Sequence, residues 1–295
     1  MSGLGPVSGG GPLDQGELIG SRRSRLFGGS QSGGPRSFAV AIISTVLVFA
    51  AVGWVVVNSP GWSEAQQAFF DPGEFAKSVP KVAHTFLLNV QTFLVGEVLV
   101  LSLALLLAVM RGLRGPVFAP LRIAAIVYAD FFRGIPAVLI VYMLGFGLAG
   151  LGLPGVPTDP WFWGVLALVL VYSAYVSEVY RAGIDSVHPS QEAAARSLGL
   201  SRFQALRYVV LPQAIRRVIP PLLNDFIGLQ KDSAFIAFLG PVESFREAQI
   251  ISAADYNLTP YLVTALFFLA ITIPMARFVD WLIARDRRRV VAGAQ

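Results

Sequence analysis

The sequence predicts an all-α polytopic membrane protein with about six transmembrane helices. Only 14% of its 295 residues are charged and 55% are hydrophobic, whereas soluble domains carry about 25% charged residues. The apolar residues also form continuous runs of about 20 residues, the length that a helix needs to cross a bilayer. Because these runs are continuous rather than alternating, they argue against a transmembrane β-barrel.

Six apolar stretches are long enough to be transmembrane helices. They cover residues 38–57, 84–110, 121–148, 160–181, 218–239 and 259–283. Residues 1–37 are rich in Gly, Ser and Pro, and we expect them to form a disordered, basic cytoplasmic tail. Residues 38–83 then supply an extra first helix with its external connection, and residues 286–295 form a second basic tail.

The arginines set the predicted orientation. Both termini and the loops after the second and fourth stretches are rich in arginine, whereas the opposite side carries three cationic residues, Lys77, Lys81 and Arg246. Positively charged loops of membrane proteins stay in the cytoplasm. We therefore expect a multi-pass protein of the plasma (cytoplasmic) membrane with both termini in the cytoplasm. The even number of predicted spans also puts both termini on the same side of the membrane.

The composition excludes several kinds of chemistry. The chain has no cysteine, which excludes disulfides, thiolate metal sites and cysteine nucleophiles. Its two histidines, His84 and His188, lie far apart and show no metal-ligand spacing. The sequence also lacks the G-x-x-x-x-G-K-[ST] phosphate loop. We expect no catalytic residue, no metal site and no cofactor on this chain, and nothing indicates a nucleic-acid partner.

The loop after the fourth stretch reads as two short helices separated by a glycine. Ser190 is placed to cap the first helix, and Glu192 in its first turn favours the helix dipole. Gly199 is placed to stop it. From these residues alone, the loop is either a docking surface for a protein or an amphipathic segment resting on anionic lipid.

The second helix of this loop begins with a capping box. Ser201 is followed three residues later by Gln204, the spacing at which each side chain reaches the backbone of the other residue. We expect this helix to end before Pro212.

Ionisable residues inside the apolar stretches need a partner or a role, because each costs at least about 2.5 kcal/mol in hydrocarbon. Arg133 lies near the middle of the third stretch and precedes two helix-disrupting residues, Gly134 and Pro136. Such an arginine could bind the α-carboxylate of a substrate. The alternative is an internal ion pair with one of three acidic residues, Asp130, Glu97 or Glu178.

Two other stretches also carry polar residues. Glu178 and Arg181 are spaced to pair on one face of the fourth stretch, and Tyr175 lies deeper on the same helix. Lys231 and Asp232 fall within the fifth stretch. Because adjacent residues of a helix point in different directions, at least one of this pair must face a cavity or another helix.

The sequence of this loop resembles a motif of a known protein family. Glu-Ala-Ala, a glycine after a short gap, and Leu-Pro near the end resemble the EAA loop of ABC importer permeases. Four stretches narrow the resemblance to the permeases for polar amino acids, which serve histidine, arginine, glutamine and glutamate. They are FFRGIP at 131–136, AYVSEVYRAGIDSV at 174–187, LPQA at 211–214 and NDFIGLQKDSAFIAFLG at 224–240. The similarity covers roughly residues 84–285, which implies a transport domain of the type I ABC importer fold.

The resemblance implies that the EAA loop, residues 188–212, couples the chain to a separate ATPase. The residues expected to carry this coupling are Glu192, Ala193, Ala194, Arg196 and Gly199. A homodimeric ATP-binding subunit would bind ATP and Mg. A second permease chain, a related partner rather than a second copy, and an extracytoplasmic amino-acid-binding protein complete the expected assembly.

We therefore expect a transport subunit, not an enzyme, that brings a polar amino acid into the cytoplasm. The residues expected to line the pathway are Arg133, Tyr175, Glu178, Lys231 and Asp232. The cationic residues near the middle of the membrane slightly favour glutamate, aspartate, glutamine or asparagine as the substrate. The alternative is a secondary amino-acid transporter driven by an ion gradient. Two observations argue against this alternative. The sequence shows no clear inverted repeat, and a secondary transporter would have no ATPase to bind the EAA loop.

Overall fold

The computed structural model describes residues 35–292, with side chains described for residues 38–285. Most of the predicted N-terminal tail, and the side chains of the predicted C-terminal tail, therefore lie outside the described residues. The chain divides into two units after Trp62. The described part of the first unit is mainly one helix, α1 (Pro35–Val57), which is long and apolar enough to cross a membrane.

The second unit is helical wherever the structure assigns regular elements. Its α-helices are α2 (Trp62–Phe69), α3 (Pro72–Gly112), α4 (Ala119–Gly134), α5 (Ala137–Tyr142), α6 (Pro160–Asp185), α7 (Pro189–Ser197), α8 (Arg202–Ala205), α9 (Leu211–Asp232), α10 (Ser244–Asp255) and α11 (Thr259–Ala292). Irregular helical turns extend α5 as far as Leu151 and α9 as far as Leu239.

Among the described residues, four helical segments are long and apolar enough to span a bilayer, and they include α1, α3, α6 and α11. A fifth candidate is the bent pair formed by Pro116–Gly134 and Ala137–Leu151, whose two halves meet at 103°. The stretch at 218–239, predicted as a span, forms α9 and its extension but does not reach the same apolarity. The predicted helical membrane fold is confirmed, with four or five spans by this measure where about six were expected.

The core of the second unit lies where α3, α6 and α9 meet. Val100, Leu168, Leu229 and Ile236 are almost fully buried there and belong to one apolar cluster. Val100 comes from α3, Leu168 from α6, and Leu229 and Ile236 from α9 and its extension, so burial of these side chains fixes the three helices against one another. Removing such apolar surface from water or loose lipid contact gains packing energy that no single helix could obtain alone.

A buried polar network joins α3 to the start of α10. Glu243 is fully buried, and its carboxylate accepts hydrogen bonds from the backbone N–H groups of Phe245 and Arg246, at 2.9 and 2.7 Å. Asn89 Nδ2 donates to Glu243 Oε2 at 2.7 Å, and Asn89 Oδ1 accepts from Ser244 Oγ at 2.8 Å. Burial raises the pKa of the Glu243 carboxyl group, while these hydrogen bonds favour the ionised form.

The substitution Asn89→Ala should lower the free energy of unfolding by about 2 kcal/mol, because it leaves a buried carboxylate short of a donor. Thermal unfolding in detergent would measure the loss. Gln249→Ala is the control, since it removes only the exposed contact from Arg246 Nη1 to Gln249 Oε1. Equal effects of the two substitutions would show that the network does not hold α3 and α10 together.

Candidate functional site

An open cleft of about 510 Å³ lies beside the break between α4 and α5. Its lining comes from the break itself, from α6 and from α9. The lining residues are Arg133, Gly134, Ile135, Pro136, Ala137, Val171, Tyr172, Tyr175, Asp225 and Asp232. Three of the predicted pathway residues, Arg133, Tyr175 and Asp232, therefore line one cleft, although they come from three separate helices.

The break between α4 and α5 has a local cause. Ile135 precedes a proline, which disfavours the helical conformation, and its backbone is extended at φ −112° and ψ 134°. Pro136 also lacks the N–H that would continue the helical hydrogen bonding. Helix α4 therefore ends at Gly134, and Arg133 lies in its last turn. A cation at this position is stabilised by the negative end of the helix dipole.

Arg133 contacts both the cleft and a neighbouring carboxylate. Its Nη1 lies 3.6 Å from Glu178 Oε1, and its guanidinium lies over the Tyr175 ring, 5.7 Å from the centroid. Tyr175 also donates a hydrogen bond to the Arg133 carbonyl at 3.4 Å. The side chain of Arg133 is 40% exposed. Arg133 thus approaches Glu178 loosely and still presents donors to the cleft.

Glu178 is surrounded by three arginines and does not line the cleft. It pairs with Arg111 at the end of α3 and with Arg181 one turn further along α6, at 2.9 Å. The predicted pairing of Glu178 with Arg181 is confirmed. Arg181 also pairs with the exposed Asp185 at 2.8 Å. Because Glu178 already has two closer cations, it can lose Arg133 without becoming an unpaired charge.

The acidic wall of the cleft comes from α9. Tyr172 donates a hydrogen bond to Asp232 Oδ2 at 2.8 Å, while no described group donates to the buried Oδ2 atom of Asp225. Asp225 and Asp232 are seven residues apart, so they lie on one face of the helix. Asp225 was absent from the predicted pathway residues. Its spacing of seven residues from Asp232 could have indicated it from the sequence. Lys231 is exposed and does not line the cleft.

The EAA loop begins with α7. Its N-cap is His188, whose Nδ1 accepts from the Ser190 backbone N–H at 3.2 Å. The prediction that Ser190 is the cap is wrong, because Pro189 takes the first helical position, where it needs no donor. Glu192 lies in the first turn as expected. After the helix, Gly199 has φ +89°, a conformation that favours glycine.

The surface of α7 has the features expected of a docking helix. Ala193, Ala194 and Arg196 are exposed on it, and Glu192 is half-buried. The Glu192 carboxylate lies 4.0 Å from the guanidinium of Arg202 at the start of α8. Four of the five predicted coupling residues thus lie on one short helix, with Gly199 in the turn that follows.

The second half of the loop leads directly into α9. The predicted capping box is present, with Ser201 N donating to Gln204 Oε1 at 2.8 Å and Gln204 N donating to Ser201 Oγ at 3.3 Å. The prediction that this helix ends before Pro212 is wrong. A wider helical turn over Leu206–Val210 joins α8 to α9, and Pro212 lies in the first turn of α9. The EAA loop is therefore continuous with the helix that carries Asp225 and Asp232.

Comparisons with known proteins agree on the family. The profile described as "Binding-protein-dependent transport system inner membrane component" matches residues 102–288. The "Probable glutamine ABC transporter permease protein GlnM" of Bacillus subtilis is 38% identical over 171 residues, 58% of this chain and 78% of that protein. The "Probable amino-acid ABC transporter permease protein YckA" of the same species is 32% identical over 221 residues, 73% of this chain and 92% of that protein.

Solved structures agree on the fold. One described as "Crystal structure of an amino acid ABC transporter with histidines" superimposes with a TM-score of 0.67 at 30% identity, covering 73% of this chain and 98% of that chain. The inward-facing MetNI methionine ABC transporter gives a TM-score of 0.55 at 18% identity, with 73% and 99% covered, and this likeness concerns the fold alone. The predicted type I ABC importer permease fold is confirmed.

The substitution Glu178→Gln should lower the free energy of unfolding by about 2 kcal/mol, because Arg111 loses its carboxylate partner in a mostly buried setting. Denaturation of the detergent-solubilised protein would measure this. Asp185→Asn is the matched control, since it removes a carboxylate from the exposed side of the same Arg181 and should cost at most about 0.5 kcal/mol. If the two variants lose equal stability, the link between α3 and α6 is not structural.

Proposed function

The chain belongs to the family of binding-protein-dependent transport system inner membrane components, and we propose that it is the permease subunit of an ATP-driven importer for a polar amino acid. The observation that carries this proposal is the continuity of the EAA loop with α9. A movement of the loop would be passed along one helical path to the acidic wall of the cleft. Asp225 and Asp232 lie about 20 and 30 Å along the helix from Pro212, at about 1.5 Å per residue.

The energy source is a separate ATPase. The exposed alanines of α7 allow close approach by a partner surface, and Arg196 offers charge-assisted contacts to it. We assign coupling to Glu192, Ala193, Ala194, Arg196 and Gly199. ATP and Mg are bound by a homodimeric ATP-binding subunit seated against this helix. A second, related permease chain completes the pathway, and an extracytoplasmic binding protein delivers the amino acid.

The cleft has complementary groups for both ends of an amino-acid zwitterion. Arg133 presents guanidinium donors to the α-carboxylate, while Asp225 and Asp232 accept from the α-ammonium group. An acidic side chain would meet two like charges on the α9 wall, so we favour the amides among the four substrates considered. The glutamine permease named among the relatives supports this choice. Lys231 has no place in the assigned pathway, and Glu178 is assigned a structural role with Arg111 and Arg181.

The orientation of the assembly follows from charge. The EAA loop and the turn between α3 and α4 carry most of the described arginines that lie outside the spans. Under the rule that positive loops stay inside, they face the cytoplasm together with both termini. This orientation would make α7 accessible to a cytoplasmic ATPase, and we propose the plasma membrane as the site of the protein.

The substitution Glu192→Arg should abolish ATP-driven uptake while the protein still inserts and folds, because it reverses the charge in the first turn of α7 and repels Arg202. The measurement is uptake of labelled glutamine into vesicles that contain the permease, its ATPase and its binding protein. The control is Arg114→Gln, an exposed loop change outside the proposed site. Uptake driven by a Na⁺ or H⁺ gradient without the ATPase would exclude an ATP-driven importer.

The substitution Arg133→Gln should reduce uptake by about tenfold or more, because a cation that binds the substrate carboxylate through paired hydrogen bonds is lost. Stability should change little, since Glu178 keeps Arg111 and Arg181. Uptake and thermal unfolding measured on the same preparation separate the two effects. A variant that unfolds early but transports normally once assembled would assign Arg133 a structural role instead.

A further inference from the structure

We propose that the base of the EAA loop is a clamp that keeps the end of α6 and the start of α9 together throughout the transport cycle. The clamp is formed by Gly183, Ser186, Val187, Val210, Ala214, Arg217 and Val218. The loop would then have no hinge where it leaves the helices. Its movement would pass undiminished to α9 and the cleft. This inference rests on the proposed function and concerns how the coupling movement is transmitted.

The first part of the clamp is a close helix contact. Gly183 is buried on the last turns of α6, and Val218 on α9 is 7% exposed. A Cβ atom at position 183 would lie 3.4 Å from Val218 Cβ and 3.4 Å from the Ala214 carbonyl oxygen, and it would overlap Val218 Cγ2. The two helices can approach this closely because residue 183 has no side chain.

The second part is a hydrogen bond from one helix to the end of the other. Arg217 Nη1 donates to the backbone carbonyl of Ser186, the residue that caps α6. The last carbonyls of a helix have no intrahelical donor, and they carry the negative end of its dipole. Arg217 therefore supplies both a donor and a positive charge where α6 ends. Ser186 closes the same turn by donating its hydroxyl to the Gly183 carbonyl at 2.6 Å.

The third part is a small apolar cluster beneath the loop. Val187, where the chain enters the loop, packs with Val210 and Ala214, where the chain leaves it. All three are buried. The entry and the exit of the loop thus share one packed contact, and neither can swing away without exposing it. Gly183 and Arg217 touch no part of the cleft, so they act as positioning residues.

A cross-link tests whether the contact opens during transport. The chain has no cysteine, so Gly183→Cys with Val218→Cys would introduce a single pair. The Cβ separation of 3.4 Å at these positions lies close to the range of about 3.5–4.5 Å found in disulfides. We expect the oxidised double variant to transport as fast as the same protein after reduction. Uptake that disappears on oxidation and returns on reduction would overturn the clamp.

A second measurement tests the positioning role directly. Gly183→Val should force α6 and α9 apart, and we expect the ATP hydrolysed per amino acid transported to rise about tenfold, a typical size for a coupling effect. The control is Gly96→Ala, whose added Cβ meets Leu229 Cδ2 at an ordinary 3.7 Å. Arg217→Gln should raise the same ratio, and Arg217→Lys should largely restore it.

The outcomes separate this inference from the proposed function. An unchanged ratio in assembled Gly183→Val and Arg217→Gln complexes would show that the two residues are structural only, which would overturn the inference. A wild-type complex that takes up amino acid without consuming ATP would instead refute the proposed function, whatever the cross-link does.

Discussion

The constraint on which this structure depends is that a charged group removed from water, whether in the bilayer or in the packed interior, must be paired or must face a cavity. Glu178 satisfies it with Arg111, and Glu243 with Asn89 and the first turn of α10. These pairs join α3 to α6 and α10, so they determine how the helices pack. Two charged residues that line the cleft are less fully paired. No group in the described part of the chain donates to Oδ2 of Asp225, and Arg133 lines the cleft with a side chain that is 40% exposed.

Helix α9 carries polar residues that a purely apolar transmembrane helix would lack, and they have two roles. Its acidic residues supply one wall of the cleft, and its first turns carry Arg217 at the base of the EAA loop. A helix with this composition gains little from contact with lipid. It is held instead by apolar contacts such as Leu229 with the cluster between α3 and α6. Its stability therefore depends on tertiary packing, and its position follows that of its neighbours.

The candidate site depends on irregular backbone as much as on side chains. The extended residue before Pro136 ends α4 and turns the chain by 103°, which opens space beside Arg133. At the other end of the unit, Gly199 turns the chain between two short helices at a positive φ. Both irregularities are encoded by single residues whose conformational preferences are strong. Between them, α9 provides a regular helical path.

The sequence by itself determined the features that depend on neighbouring residues. The apolar stretches, the capping box at Ser201, the turn at Gly199 and the pairing of Glu178 with Arg181 all follow from spacings of a few residues. The sequence placed Arg133, Tyr175 and Asp232 in a common pathway, but only by resemblance and by the cost of burying charge. Only the structure showed that Asn89 meets Glu243, 154 residues away, and that the chain stays helical from α8 through Pro212 into α9. The reason is physical. Local preferences differ by about 1 kcal/mol and can be read along the chain, whereas a contact such as that of Asn89 with Glu243 exists only once α3 and α10 are packed together.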